Sequence, residues 1–412
     1  MPLVSDISGC AGRQTETPHT RPRLLFVTTR FMFPVVGGDL LRPFHICQEL
    51  SKRFDITLVS LCANKADLTA DYDRSVFAEV HRFYLPRWKS LLQVVAGLFR
   101  KRPLQVSYYA HAEASRFLRT VWRQYDHGIS HLIRGAALVG EVDERWLLEM
   151  TDSFALSYLR ISRNQLRLNP LRWLYNEERR RLEYYEREMV RRYRAVVVIS
   201  SADANHVGRS QHLHVVPNGV DLMRLGADDH LKLESRGRTI LFIGKMDYSP
   251  NFEACRYFIR EILPALPKEI TFKIVGKSSD RALRRLTRGN PRVSATGYVE
   301  SIASAAEGVF CGVAPIRSGA GLPNKVLEYM ALGLPTVASE MANMGMGTVH
   351  GHHLLVATSR SEWVQYVMQL YREPMLRHKY SANGWRYVSR HHSWGVIGQR
   401  YTDLIKREVN CG

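Results

Sequence analysis

Val309-Phe-Cys-Gly-Val-Ala-Pro-Ile-Arg-Ser-Gly-Ala-Gly-Leu-Pro-Asn-Lys-Val-Leu-Glu-Tyr-Met-Ala-Leu-Gly-Leu-Pro335 decides how the rest of the chain is read. The apolar run Val309 to Ile316 predicts a buried strand, broken by a loop that carries Gly319 and Gly321. Pro323 suits the first helical position, where a fixed φ helps and no N–H is needed. Val326, Leu327, Met330 and Ala331 then recur at helical spacing, and Gly333 with Pro335 closes the turn. A glycine loop feeding a helix start leaves backbone N–H groups free beside a partial positive charge, which favours an anion and a phosphate above all. Lys325 adds a full charge there. Glu328, one turn further, suits sugar hydroxyls rather than phosphate. The alternative is a βα unit whose glycines only pack helix on strand.

Outward from that stretch the same grammar occurs twice. In the first half, Arg23 to Thr29 predicts a strand, Phe33 to Asp39 a glycine loop with Gly37 and Gly38, and Leu41 to Leu50 a helix. Ile56 to Leu61 gives a second strand. Further strands are expected at Ile129–Ile133, running into Arg134, at Trp146–Met150, running into Asp152, at Ala195–Ser200, and leading into Val216-Pro-Asn-Gly-Val-Asp221. In the second half, strands fall at Thr239–Gly244, ending at Lys245, and at Thr271–Gly276, Val293–Thr296, Val309–Ile316 and Thr336–Ser339. Strands alternating with helices define doubly wound α/β domains, whose ligands sit at the carboxyl ends of the strands. Arg134 and Asp152 are candidates on that ground. The expected division is a tail over 1–22, a first domain over 23–224, a linker over 225–238, a second domain over 239–391, and a crossover helix with its tail over 392–412.

The 412 residues carry a formal charge of +19, which favours acidic partners such as nucleotides, nucleic acid or anionic lipid without choosing among them. The six cysteines (10, 47, 62, 255, 311 and 411) show no metal or paired spacing and read as reduced thiols of a cytosolic protein. No apolar run reaches membrane-spanning length, and no signal peptide is evident. Trp88, Leu91, Leu92, Val95, Leu98 and Phe99 recur at helical spacing between Arg87, Lys89 and Arg100-Lys-Arg102, as an interfacial membrane helix requires; the other reading is a half-buried amphipathic helix. Arg160 to Arg194 holds eleven arginines interleaved with glutamates, which predicts a salt-bridged helix face rather than a nucleic-acid surface.

From about Arg23 to Trp394 the chain resembles the retaining GT-B glycosyltransferases of sequence family four, and among them the bacterial sugar transferases of polysaccharide assembly. The resemblance rests on Phe242-Ile-Gly-Lys-Met-Asp-Tyr-Ser-Pro-Asn251, Phe272-Lys-Ile-Val-Gly276, Thr296-Gly-Tyr-Val299, Ala314-Pro315, Asn324-Lys-Val-Leu-Glu-Tyr-Met-Ala331, Val216-Pro-Asn-Gly-Val-Asp221 and the segment around Asp152. It implies two Rossmann-like domains facing a cleft, with a C-terminal helix crossing back to the first. It implies a nucleotide-sugar donor on the second domain. Lys245, Lys325 and the amides of Gly321 and Leu322 would hold the diphosphate, with Gly244, Gly319 and Asn324 beside it. Gly297, Tyr298 and Val299 would lie near the base, and Glu328 would bind the ribose. Gly37, Gly38, Asp152 and Arg134 would face donor or acceptor from the first domain.

The chain departs from the family pattern at Ala320, where many relatives carry a first glutamate, and at Pro250, where a second lysine is usual; Lys325 is expected to substitute for that lysine. The expected reaction is hexosyl transfer with retention from a UDP- or GDP-linked sugar to a polyprenyl-linked saccharide at the inner face of a bacterial cytoplasmic membrane. No metal or cofactor is expected, since Asp71-Tyr-Asp73 lies far from the donor motifs. Transfer to a soluble acceptor and 2-epimerisation of a nucleotide sugar are the alternatives.

Overall fold

The computed structural model describes residues 21–35, 38–100, 102–164, 171–225, 237–318 and 324–409. Seven strands build the first sheet: β1 (Arg23–Thr28), β2 (Asp55–Cys62), β3 (Glu79–Tyr84), β4 (His127–His131), β5 (Trp146–Thr151), β6 (Ala195–Val198) and β7 (Leu213–Val215). All pairs are parallel, in the order β3-β2-β1-β4-β5-β6-β7. Six more build the second: β8 (Thr239–Ile243), β9 (Thr271–Val275), β10 (Val293–Ala295), β11 (Val309–Ala314), β12 (Thr336–Ala338) and β13 (Leu355–Val356). Their order is β10-β9-β8-β11-β12-β13, again all parallel. Helices cover both faces, so the central strands are buried throughout and read as unbroken apolar runs.

The chain direction reverses across each sheet between its first and fourth strands. These switch points open a crevice beyond the carboxyl ends of β1 and β4 in one domain, and of β8 and β11 in the other. The sequence places Thr29–Pro34 above the first crevice. It places Lys245 and the Ile316–Ser318 turn above the second.

The strand expected over Ile129–Ile133 stops at His131. Leu132 takes a left-handed φ of 63°, and the helix Leu132–Val139 begins at once. Arg134 therefore lies in a helix and not at a strand end. The arginine-rich segment forms two helices, Phe154–Asn164 and Leu171–Arg192. Within the second, Arg179–Glu183, Arg181–Glu177 and Arg192–Glu188 pair across one turn. Arg181 also donates to the carbonyls of Gly97 and Leu98, capping the end of the basic helix Arg87–Leu98.

That basic helix rests on its small residues, Ser90 and Gly97. Its large apolar side chains face outward: Trp88, Leu91, Leu92, Val95, Leu98 and the adjoining Phe99 are 42–90 % exposed. A half-buried helix would show the reverse.

The last helix, Trp394–Leu404, leaves the second domain and packs on the first-domain helix Gly38–Leu50. The Trp394 indole stacks on His45 with centroids 4.8 Å apart, and Gly398 lies against the Glu49 side chain with no room for a Cβ. Ile397, Tyr401 and Ile405 belong to the same buried cluster as Leu24, Phe26 and Ile56 of the first domain.

Candidate active site

The helix Asn324–Ala331 is anchored through Tyr329, which is fully buried. Its hydroxyl accepts from the Ile243 N–H of β8 at 2.8 Å and donates to the Val313 carbonyl of β11 at 3.1 Å. The ring occupies the space that a Cβ at Gly312 would take, 2.5 Å from the nearest ring atom. One side chain thus ties the helix to both strands of the switch point. Asn324 and Glu328 face the boundary between the domains as a result, where with Arg224, Asp221 and Trp394 they line a pocket of about 60 Å³.

Lys245 follows β8 and is exposed at the crevice. Lys325 is buried: its ammonium donates to Asn251 Oδ1 at 3.0 Å and sits 5.1 Å from the Phe242 ring centroid. The Asn251 amide donates in turn to the Lys245 carbonyl at 3.0 Å. The two lysines expected to share a diphosphate are joined through one asparagine. Asn251 directly follows Pro250, the position where the second lysine of the family pattern is missing. The sequence reading passed over Asn251, although the Ser-Pro-Asn start of a helix was its signal.

Burial lowers the Lys325 ammonium to about 8, against the opposing pull of Glu328 and Cys255. Burial also pushes the Glu328 carboxyl upward, and Lys325 and Arg224 hold it down. The floor of the crevice is tight because Gly276, at φ 146°, brings its backbone against the Gly244 carbonyl, a conformation that a side chain would forbid. The Gly276 N–H donates to the Gly297 carbonyl at 2.9 Å, which brings the Gly297–Val299 turn alongside, with Tyr298 exposed and Val299 packed on the core. Gly37, Gly319, Gly321 and Leu322 lie outside the described residues, as do Ala320 and residues 226–236 of the linker expected over 225–238; Gly38 opens the first-domain helix.

The Arg134 guanidinium is sandwiched between the rings of Tyr109 (4.7 Å) and Phe154 (5.0 Å). Asp152 follows Thr151, a non-glycine residue with φ 64°. Its Oδ1 is buried with no hydrogen-bond partner among the described residues. Burial, then the nearby Asp203, pushes the carboxyl up to about 7.

The folded state therefore binds a proton here that the unfolded chain has lost by pH 5–6, and stability falls as pH rises toward 7. Asp152→Asn removes that penalty. Its melting temperature is expected to exceed that of the parent protein by a few degrees at pH 8 and to converge on it at pH 4, since about 1 kcal/mol moves Tm by roughly 2–4 °C at this size. Melting curves across pH check this; a variant equally destabilised at every pH would mean that the carboxylate is held charged.

A larger pocket of about 560 Å³ lies beyond β1 and β2, lined by Thr29, Arg30, Phe31 and Tyr109 together with Arg87 and Ser90 of the basic helix. Asp71 and Asp73 stand in the first domain near Phe33 and Pro34, away from the donor motifs. Among the described residues no group of three His, Cys, Asp or Glu side chains is arranged to hold a metal ion.

Two parallel α/β domains with a returning C-terminal helix constitute the GT-B glycosyltransferase fold. Residues 237–373, about a third of the chain, match the family model described as Glycosyl transferases group 1. The whole chain is similar in structure to Anabaena HepE in complex with UDP (TM-score 0.64, 14 % identity, 93 % of this chain and 99 % of that one). It is also similar to sucrose-phosphate synthase from Thermosynechococcus elongatus (0.67, 15 %, 95 % and 100 %) and to a glycosyltransferase from Rickettsia africae (0.66, 11 %, 96 % and 100 %). No curated protein sequence matches the chain.

Proposed function

We propose that the protein is a retaining, metal-independent glycosyltransferase that moves a hexosyl unit from a nucleotide diphosphate sugar to a hydroxyl of a lipid-linked saccharide in bacterial surface-glycan assembly. The observation that carries this reading is that Asn251 joins the Lys325 ammonium to the Lys245 carbonyl at the end of β8, while Glu328 on the same helix as Lys325 faces the interdomain pocket. The bond from the anomeric carbon to the diphosphate breaks, and its electron pair leaves with the diphosphate oxygen. Two ammonium groups stabilise that charge in a site where they need no reorganisation. The acceptor oxygen bonds to the anomeric carbon on the face that the diphosphate leaves, and its proton passes to the departing phosphate. Glu328 anchors the ribose hydroxyls. Asp152 and Arg134 position the acceptor or the donor sugar from the first domain. HepE, to which the chain is similar, has been captured with UDP and with UDP-glucose, which favours a UDP-linked donor.

The outward apolar face of Arg87–Leu98 supports the lipid-linked acceptor. Exposed cations at Arg87, Lys89, Arg100 and Arg102 flank it, and anionic headgroups are worth about 1 kcal/mol per such charge. The helix also contributes Arg87 and Ser90 to the 560 Å³ pocket, so a substrate anchored in the membrane would meet that pocket at the bilayer surface. Changing Leu91, Leu92, Leu98 and Phe99 to serine is expected to cut binding to anionic vesicles at least tenfold, while melting stays unchanged. Flotation that survives the change removes the membrane role and favours a soluble acceptor, as the likeness to sucrose-phosphate synthase suggests.

A thermal-shift screen against UDP-, GDP- and dTDP-sugars tests the donor site. One of them is expected to raise Tm by several degrees in the parent protein, with EDTA present, and by much less in Glu328→Ala. No shift with any of them sinks the donor reading. A shift that requires manganese sinks metal independence.

A further inference from the structure

We infer that Arg42 and Asn218 of the first domain fix which way the Asn324 amide faces, so that the donor helix presents hydrogen-bond donors, not an acceptor, to its ligand. The inference rests on the proposed donor site and assigns two positioning residues to it.

It follows from the direction in which hydrogens can be given. Arg42 is buried, and its guanidinium is saturated: it donates to Glu149, to the Val216 and Pro217 carbonyls, to the Tyr401 hydroxyl and to Asn218 Oδ1 at 3.0 Å. A guanidinium has five N–H donors and no acceptor. The atom of Asn218 that faces it must therefore be the carbonyl oxygen. The Asn218 NH₂ is then directed to the other side, where it meets Asn324 Oδ1 at 2.9 Å. Asn324 must in turn accept with its oxygen, and its own NH₂ is left facing away from Asn218.

Asn324 is the first described residue of the donor helix, one turn before Glu328, and both line the 60 Å³ interdomain pocket. Among the described residues no hydrogen bond uses the Asn324 NH₂. The polarity set by Arg42 thus crosses the domain boundary through two amides and ends as N–H groups at a helix start, beside Lys325. Phosphate and ribose oxygens match such donors. If the Asn324 amide turned over, it would offer them a carbonyl oxygen instead.

Exchange at Asn218 reverses the relay. In Asn218→Asp both side-chain oxygens accept, so Arg42 keeps its partner while Asn324 must rotate to donate, turning its oxygen to the pocket. Asn218→Ala only releases Asn324. Titration calorimetry with UDP is expected to show a tenfold or greater loss of affinity for Asn218→Asp and about threefold for Asn218→Ala, given the strength of hydrogen bonds to charged groups. The aspartate variant should melt no lower than the alanine one, because it gains a charge pair with Arg42. Asn324→Asp, which also turns an acceptor to the pocket, should match Asn218→Asp. In the double variant Asn218→Asp/Asn324→Ala the affinity should equal that of Asn324→Ala alone.

Affinities that follow the melting temperatures, or equal affinities for the two Asn218 variants, overturn the relay. Should the parent protein bind no UDP, GDP or dTDP, the donor reading fails by itself. The relay is then decided by side-chain amide exchange in ¹⁵N-labelled protein. Slower exchange of the Asn324 NH₂ in Asn218→Asp upholds it, and an unchanged rate ends it.

Discussion

Arg42→Ala is expected to destabilise the protein by about 3–5 kcal/mol, because it leaves a buried carboxylate without its counter-charge. Glu149 is fully buried and, among the described residues, keeps only the hydroxyls of Thr151 and Tyr401 once the guanidinium is gone. The backbone carbonyls of Val216 and Pro217 lose the same donor. Denaturant titration reads the loss directly; a change below about 1 kcal/mol would mean that Glu149 does not depend on the guanidinium for its place in the core.

The double change Arg42→Met/Glu149→Leu supplies a second reading. Removing both charges together is expected to restore much of the stability, as apolar replacements of buried pairs often do. UDP affinity should not return with it, since Asn218 then has nothing to orient it.

Lys245→Ala is the second large effect. The side chain is exposed and makes no hydrogen bond or ion pair among the described residues, so Tm should move by no more than about 1 °C while kcat falls by about 10²–10³, the loss typical of one preorganised charge stabiliser. Lys325 adds a pH dependence of known sign. Its ammonium discharges near pH 8, so transfer should decline through that region. Over the same range the unfolded chain still holds the proton, up to about 10.4, so stability contributed by this residue rises with pH. Opposite slopes of rate and stability above pH 8 identify Lys325 as the group responsible. A rate that stays flat from pH 7 to 10 would exclude it.

Much of the fold was legible because parallel strands buried on both faces leave continuous apolar runs, as at Ala195–Val198, Thr239–Ile243 and Val309–Ala314. Of the edge strands, β7 and β10 were read but β3 and β13 escaped notice. β3 reads Glu-Val-His-Arg-Phe-Tyr and is only half-buried, and β13 has two residues, too short for any pattern. The overrun at Ile133 has a different cause: nothing marks Leu132 as left-handed, since that conformation ordinarily belongs to glycine.

In the site, Lys325 and Glu328 were singled out from local chemistry and Lys245 from the family resemblance. Their surroundings were not. Whether Lys325 is exposed or buried depends on Asn251, 74 positions away, and the partners of Arg42 come from residues 149, 216–218 and 401. Such meetings are made by topology and leave no periodic trace.

The returning helix carries a consequence for the order in which the molecule forms. Ile397, Tyr401 and Ile405 complete the core beneath β1 and β2, so the domain synthesised first must wait for a helix that leaves the ribosome after the second domain. The second domain, whose buried cluster runs from Val220 to Val388, has its own core in hand before that point. Assembly is thus expected to close in reverse of synthesis, with the first domain held open and its apolar floor unfilled until that helix emerges. Removing the final helix should therefore expose and unfold the distant N-terminal half, while leaving the half next to it in the chain intact.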